Sequence, residues 1–387
     1  MCHTKVTEVS KKMIDMLKLR IKVKHIAVFD GSICRMDRRG NQLWITPTTK
    51  TILESYSSKI YLRSHNLVCK KTGEIARTIT DFSEYSNEIF VSEILEIHGN
   101  PAKFFQGHNL FGSSDLRAIV PCFIREILEY SNIVLDEDEN LEEVISRLVA
   151  GDFEIHGVHL NRNYRLDNIE QVNSWLRSTY TVISKNQQTV SIPVTSKSGN
   201  YSIYIGKGSD HITSKLYNKG GECRDRGSDF YKNLSKNDAN KLLEYSIGIL
   251  RFEIELKREY LNRLKLSSGK NWRQDTSELL LNFELSKIRI PKNLQLHYKQ
   301  YNKLPKHLKI PYFLWCNGYN FVEDYPKSKF YQHKEALLAF GIDISRPVAK
   351  TEVQSLSKLL IEEIPLWAKE RGLYFEPNDY FKNNKIA

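Results

Sequence analysis

Residues 249–257, ILRFEIELK, limit the possible folds more sharply than any other stretch of the chain. From Arg251 to Lys257 charged and apolar side chains alternate strictly. Side chains alternate across a β-strand, so Arg251, Glu253, Glu255 and Lys257 share one face and Phe252, Ile254 and Leu256 the other. The charged face admits two readings. It is either a solvated outer face, or an open active-site face where a carboxylate holds Mg²⁺ or Mn²⁺ through hard oxygen ligands.

Other elements follow from the same periodicity. Strands are expected at 14–22, 89–98, 153–161, 201–206 and 212–219, with turns at Gly99-Asn100-Pro101 and 194–200. Helical spacing after Ser114 and Asp115 predicts a helix over 115–130. The acidic block Asp136 to Glu139, with Glu142 and Glu143, leads a short helix ending near Gly151. Further helices are expected at 168–183 and 236–247, with a polar loop opening at Gly220-Gly221. Beyond 260 the pattern is mostly helical, at 275–286, 312–319, 329–340 and 353–364. The expected fold is α+β: a mixed body over residues 12–260, then a smaller helical domain over 261–387.

The net charge of +11 suits a polyanionic partner, either nucleic acid or an anionic membrane surface. No apolar run approaches the ~18 residues of a membrane span. The opening MCHTKVTEVSKK is too polar for a signal peptide. Cys2, Cys34, Cys69, Cys122, Cys223 and Cys316 are widely spread and form no C-x-x-C pair, which argues against a zinc ribbon or a redox dithiol. A cytoplasmic protein with free thiols is the expectation.

Several segments could carry chemistry. On a strand at 213–219, Thr213, Lys215, Tyr217 and Lys219 share one face. Ammonium groups beside a tyrosine favour its phenolate and offset phosphate charge during attack. A half-buried structural tyrosine is the plainer reading, and Tyr201 and Tyr204 are equally eligible by composition. His156 and His159 are three apart, so strand parity puts them on opposite faces. Residues 287–309 hold seven Lys/Arg and no Asp or Glu, with Tyr298 and Tyr301 among the cations. That suits a nucleic-acid strand or an exposed basic linker. Gly206-Lys207-Gly208 lacks the spacing of a phosphate loop, so no ATPase signature is present.

Residues 99–116, GNPAKFFQGHNLFGSSDL, resemble the PAK-x-x-QGHN-x-FG segment of filamentous-phage replication initiators, the gene II and gene X proteins, and of related plasmid initiators. The resemblance extends in order to IDMLKLRI near the start, SKLYNKG at 214–220, LRFEIEL at 250–256 and FYQHKEALLAFGIDI at 330–344. It implies an antiparallel-sheet nicking domain with flanking helices, then a helical C-terminal DNA-binding or accessory domain. It also implies an enzyme of rolling-circle DNA replication. Such an enzyme nicks one strand of a duplex origin through a tyrosine, keeps the 5′ phosphate covalently, leaves a 3′-hydroxyl primer and rejoins the displaced strand. No ATP is needed, because the phosphotyrosine stores the bond energy.

By resemblance Tyr217 is the nucleophile and Lys219 its catalytic lysine. Glu253 is the leading ligand for Mg²⁺ or Mn²⁺, His108 of the QGHN segment ligates metal or contacts DNA, and Asp15 matches the opening aspartate. Where the family has R-I-D, this chain has Gly157-Val158-His159, so His159 stands in for an aspartate ligand. Lys215, Arg251, Tyr298, Lys299, Tyr301, Lys303 and Lys306 are the expected DNA contacts. The implied partners are phage or plasmid origin DNA, the displaced single strand, and a host helicase and polymerase, in a bacterial cytoplasm without a membrane role. An origin-binding or repressor protein that no longer nicks is the alternative, favoured by His159. A general basic RNA-binding protein leaves the ordered motifs unexplained.

Overall fold

The computed structural model describes residues 13–28, 32–36, 42–47, 50–52, 59–75, 88–186, 190–191, 194–196, 199–227, 234–288, 304–316, 321–340, 342–345 and 363–383. Its strands are β1 (Met13–Ile26), β2 (Ser32–Met36), β3 (Gln42–Pro47), β4 (Lys50–Ile52), β5 (Ile60–His65), β6 (Val68–Cys69), β7 (Phe90–Gly99), β8 (Glu154–Arg165), β9 (Val194–Thr195), β10 (Tyr201–Ile205), β11 (Ile212–Asn218) and β12 (Ile249–Lys257). Apart from the β2–β3 hairpin, they form one sheet in the order β4-β5-β7-β1-β8-β12-β11-β10-β9, with β6 also on β7. Neighbours pair antiparallel throughout. The α+β expectation and its antiparallel sheet hold.

Alternation sorts the two faces as the sequence implies. Leu17, Leu19 and Ile21 of β1, Val158 and Leu160 of β8, and Phe252, Ile254 and Leu256 of β12 are buried in one core. Helices α1 (Pro101–Gln106), α2 (Leu116–Tyr130), α3 (Leu141–Val149) and α4 (Ile169–Asn186) follow the strands. Ile119, Phe123 and Ile127 of α2, Ile145 and Leu148 of α3, and Trp175 of α4 join that core. Each buried aliphatic or aromatic side chain contributes roughly 1.5–3 kcal/mol.

Several expectations are corrected. Gly99-Asn100-Pro101 does not simply turn: Asn100 caps α1 by accepting the Lys103 amide, and Pro101 takes the first helical position. Gly107 ends α1 at φ 74, a conformation glycine adopts without strain. The loop expected at 220 is α5 (Lys219–Arg226), followed by α6 (Lys236–Ser246). The helix expected at 312–319 starts earlier, at Lys306–Cys316, despite Pro311. The helix expected at 353–364 lies, but for its last two residues, outside the described residues.

Packing does not divide at residue 260. After α7 (Arg258–Arg263) and α8 (Thr276–Lys287), Leu261, Trp272, Leu280, Leu281 and Ile288 still belong to the sheet's core. A second cluster holds Leu304, Leu308, Tyr312, Phe321, Phe330, Leu337, Ile342 and Ile344. A third joins Leu110, Phe111, Cys223 and Leu242 to Ile364, Ala368 and Leu373, so the C-terminal residues return to the sheet body. Cys69, Cys122 and Cys223 are buried thiols outside any disulfide.

Candidate active site

Register assembles the site on the polar face of β8, β12 and β11. Lys215 lies opposite Glu253, and Glu253 opposite Asn161. One row along, Tyr217 lies opposite Arg251 and Arg251 opposite Asn163. In the other direction Thr213, Glu255 and His159 form the neighbouring row. Directly opposed side chains on one face are within interaction distance.

Tyr217 is buried, 3% exposed, and its Oη donates to Glu253 Oε2 at 3.0 Å. Lys215 Nζ stands 3.8 Å from the ring centroid and Lys219 Nζ 6.0 Å. Burial, then the charges of Glu253 and Glu222, push the phenol well above its ordinary value, so the hydroxyl keeps its proton. Glu253 Oε1 faces His159 Nδ1 at 3.4 Å, and His159 Nε2 is 3.8 Å from Glu255 Oε1. Burial raises the Glu253 carboxyl, but the His159 hydrogen bond and the charge of Lys215 outweigh it and hold it below the usual range. Burial lowers the His159 imidazole, and Glu253 and Glu255 together raise it further than burial lowers it. The imidazole thus sits between two carboxylates that favour its protonated form.

Among the described residues no three His, Cys, Asp or Glu groups converge as an ion site. Glu253 and His159 nevertheless offer an oxygen and a nitrogen donor on adjacent strands. Mg²⁺ is commonly held by one or two carboxylates with substrate phosphate and water supplying the rest, so this donor set fits an ion shared with DNA.

Alternation alone puts Lys219 on the strand beside Tyr217, and the structure does not. Asn218 ends β11 and caps α5 by accepting the Gly221 amide, so Lys219 opens the helix. It is 1% exposed, pairs with Glu222 at 2.8 Å and donates to Asn109 Oδ1 at 3.1 Å. A Cβ on Gly220 would overlap the Ser246 carbonyl oxygen, so glycine lets α5 seat this closely. Asn109 also donates through Nδ2 to both oxygens of Asp15, at 2.9 and 3.1 Å. Asp15 thereby anchors the QGHN turn.

Two assignments are overturned. Arg251 is fully buried: Nε donates to Asn163 Oδ1 and Nη2 to the carbonyls of Asn109 and Leu110, at 2.8, 2.7 and 2.9 Å. It braces the site and is out of reach of DNA. His108 is also fully buried. Its Nδ1 accepts the Leu110 amide at 3.2 Å and its Nε2 donates to the Leu373 carbonyl at 2.9 Å, which leaves no lone pair for a metal. Local sequence carries no signal for this contact, because Leu373 is remote in the chain. Asn163 escapes sequence reasoning for the same kind of reason, since only the fold brings it to Arg251. Glu222 is missed because it meets Lys219 at i,i+3 only once the expected loop is a helix.

Tyr204 lies opposite Lys215 on the site face, whereas Tyr201 packs against the core from the other side. A register shift between Lys18 and Leu19 breaks the parity of β8. His156 and His159 therefore line one cleft of about 530 Å³, with His98, Lys18, Glu255 and Lys257. Lys306 is exposed on its helix. Tyr298, Lys299, Tyr301 and Lys303 lie outside the described residues. No described helix is long and apolar enough to cross a membrane.

The chain is 25% identical over 350 residues to the replication-associated protein, the gene II product, of Enterobacteria phage I2-2, covering 90% of this chain and 92% of that protein. A rolling-circle replication initiator protein from Geobacillus stearothermophilus superposes at 9% identity over 79% of this chain and 96% of its own, with a TM-score of 0.28, too low to bear on function. The family described as the N-terminal part of the phage gene II replication-associated protein matches residues 13–275, and its companion, the C-terminal part of the same protein, matches residues 296–378. The first of these takes in the whole of the Tyr217–Glu253 site and well over half the sequence, and the chain belongs to the gene II replication-associated protein family.

Proposed function

We propose that this protein starts rolling-circle DNA replication by nicking one strand of a duplex origin through Tyr217 and later rejoining the displaced strand. The observation that carries this reading is the Tyr217 hydroxyl on the Glu253 carboxylate at 3.0 Å, with the Lys215 ammonium against the ring. Tyr217 Oη attacks the scissile phosphorus, its proton passes to Glu253 Oε2, and the 3′ oxygen leaves, taking a proton from water to become the 3′ hydroxyl. The new Oη–P bond retains the 5′ phosphate as a phosphotyrosine diester. A 3′ hydroxyl attacking that phosphorus reverses the exchange and restores the tyrosine, so no nucleotide hydrolysis is required. Lys215 offsets charge on the phosphate as the transition state forms. Glu253 Oε1 and deprotonated His159 would hold Mg²⁺ or Mn²⁺, which supplies Lewis-acid polarisation of the phosphate.

The protein's partners in this reading are origin duplex and displaced single strand, with a host helicase and polymerase extending the primer. Residues 13–288 nick, and the later residues, with the basic stretch 287–309, hold DNA. The burial of Tyr217 favours a second reading, an origin binder that does not nick. Incubation with supercoiled replicon DNA and Mg²⁺ or Mn²⁺ decides. Nicked circles carrying protein on a 5′ end support the proposal. Origin binding without any covalent adduct, on a suicide oligonucleotide as well, overturns it in favour of the second reading.

A further inference from the structure

We infer that the C-terminal segment 363–383 is a positioning element of the nicking site, clamped by the Gln106–Asn109 turn and acting through it on Lys219 and Arg251. This deepens the function proposed above and rests on it. The clamp is continuous. The Phe105 and Phe375 rings stack with centroids 3.7 Å apart and planes 4° from parallel. Gln106 Oε1 accepts the Phe375 amide at 3.0 Å, and His108 Nε2 donates to the Leu373 carbonyl at 2.9 Å. Tyr380 Oη donates to Glu126 at 2.6 Å, and Arg371 Nε to Asp238 at 2.6 Å.

The same turn grips the site from its other side. The residue after His108 is Asn109, whose side chain accepts from Lys219 Nζ and whose carbonyl accepts from Arg251 Nη2. The next carbonyl, Leu110 O, accepts from both Arg251 Nη2 and Asn163 Nδ2. A second route runs through packing. Leu373, Ala368 and Ile364 share a buried cluster with Cys223 of α5, the helix that Lys219 opens. Arg251 lies directly opposite Tyr217, and Lys219 Nζ stands 6.0 Å from the Tyr217 ring. A turn released on its outer side lets Asn109 and Leu110 relax, and each cation loses the acceptors that the turn provides. The chemical step depends on such positions at the scale of about 1 Å, whereas DNA capture by exposed cations does not.

Full-length Phe375→Ala tests this, with Phe375→Tyr as the conservative partner that restores the ring. Three quantities are read for each variant: single-turnover nicking of origin DNA, origin affinity, and amide exchange across 106–110 and 219–226. For Phe375→Ala we expect nicking to fall at least tenfold, affinity to stay within twofold and exchange in both stretches to accelerate, with Phe375→Tyr close to wild type. Wild-type nicking by Phe375→Ala while its 363–383 amides exchange freely overturns the inference. So does loss of affinity in step with nicking, which marks general unfolding. If wild type itself forms no adduct, the proposed function fails separately. Unaltered exchange at 219–226 would then show that the segment is not coupled to the site.

Discussion

In the proposed reaction Tyr217 would supply the atom that joins DNA, and Glu253 the anion that receives its proton and holds an ion. Tyr217→Phe keeps the ring in its buried place and removes Oη, so nicking should vanish while the fold loses no more than about 2 kcal/mol, the order of one hydrogen bond to a charged group. Gel assay and urea unfolding read the two effects. Glu253→Gln should abolish cleavage and leave origin binding intact. Tyr204→Phe is the informative control, because Tyr204 shares the site face; an adduct that persists in Tyr217→Phe and maps to Tyr204 would reassign the nucleophile. His159 sets the pH response. Its imidazole titrates above its ordinary value, so its ion pair with Glu253 contributes stability fully present below about pH 6.5 and lost as pH rises through the raised value. The protonated ring cannot ligate. Mn²⁺ affinity measured by titration calorimetry should therefore climb with pH and release a proton, and His159→Asp should flatten that climb. These residues are legible in the sequence because strand parity alone puts Tyr217 with Lys215 and Glu253 with Glu255. His108 and Arg251 are not, because burial depends on neighbours that no local pattern displays.

At the scale of elements, β12 is readable, since strict alternation over the seven residues from Arg251 to Lys257 has no helical counterpart. α5 is not. Gly220 and Gly221 look like loop formers, yet they are glycines because backbone and Asn200 crowd the helix start, and the capping signal is Asn218. The register shift that unites His156 and His159 is equally invisible, because a bulge is fixed by the partner strand. α5 matters because it delivers Lys219. Asn218→Ala removes a cap and bonds to the Ile169 carbonyl and Asn173, and should cost about 1 kcal/mol or more. Gly220→Ala should cost about 1–3 kcal/mol, because the added methyl meets backbone that cannot swing aside. In both, the urea midpoint should fall and nicking should fall further than stability accounts for, since Lys219 moves with its helix. Unchanged nicking at a lowered midpoint would assign α5 a purely structural part.

Across the whole molecule, the C-terminal residues 363–383 pack back onto the sheet body. The basic stretch 287–309 should engage DNA by counterion release. Replacing Lys299, Lys303 and Lys306 with Ala should then flatten log K against log salt by about one unit per lost phosphate contact. An unchanged slope would make the stretch a spacer. The C-terminal return through His108 carries a different signature. Burial first, then the charges of Lys219 and Arg251, hold the imidazole down at about 3, against the opposing hydrogen bond to Leu373. The released ring takes a proton below about pH 6.5, while the docked ring stays neutral until about 3. Docking is therefore fully stable above pH 6.5 and weakens as pH falls, by about 2 kcal/mol at pH 5. The Asp238–Arg371 contact does not share this window, because the Asp238 carboxyl, lowered by Ser235 and Arg371, stays ionised at pH 5. Amide exchange or limited proteolysis of 363–383 should accelerate between pH 6.5 and 5 in wild type. His108→Gln, whose amide can still donate to the Leu373 carbonyl but does not titrate, should remove that acceleration. An acid response that survives in His108→Gln would place the titrating group elsewhere, and His108 would then brace the turn without sensing pH.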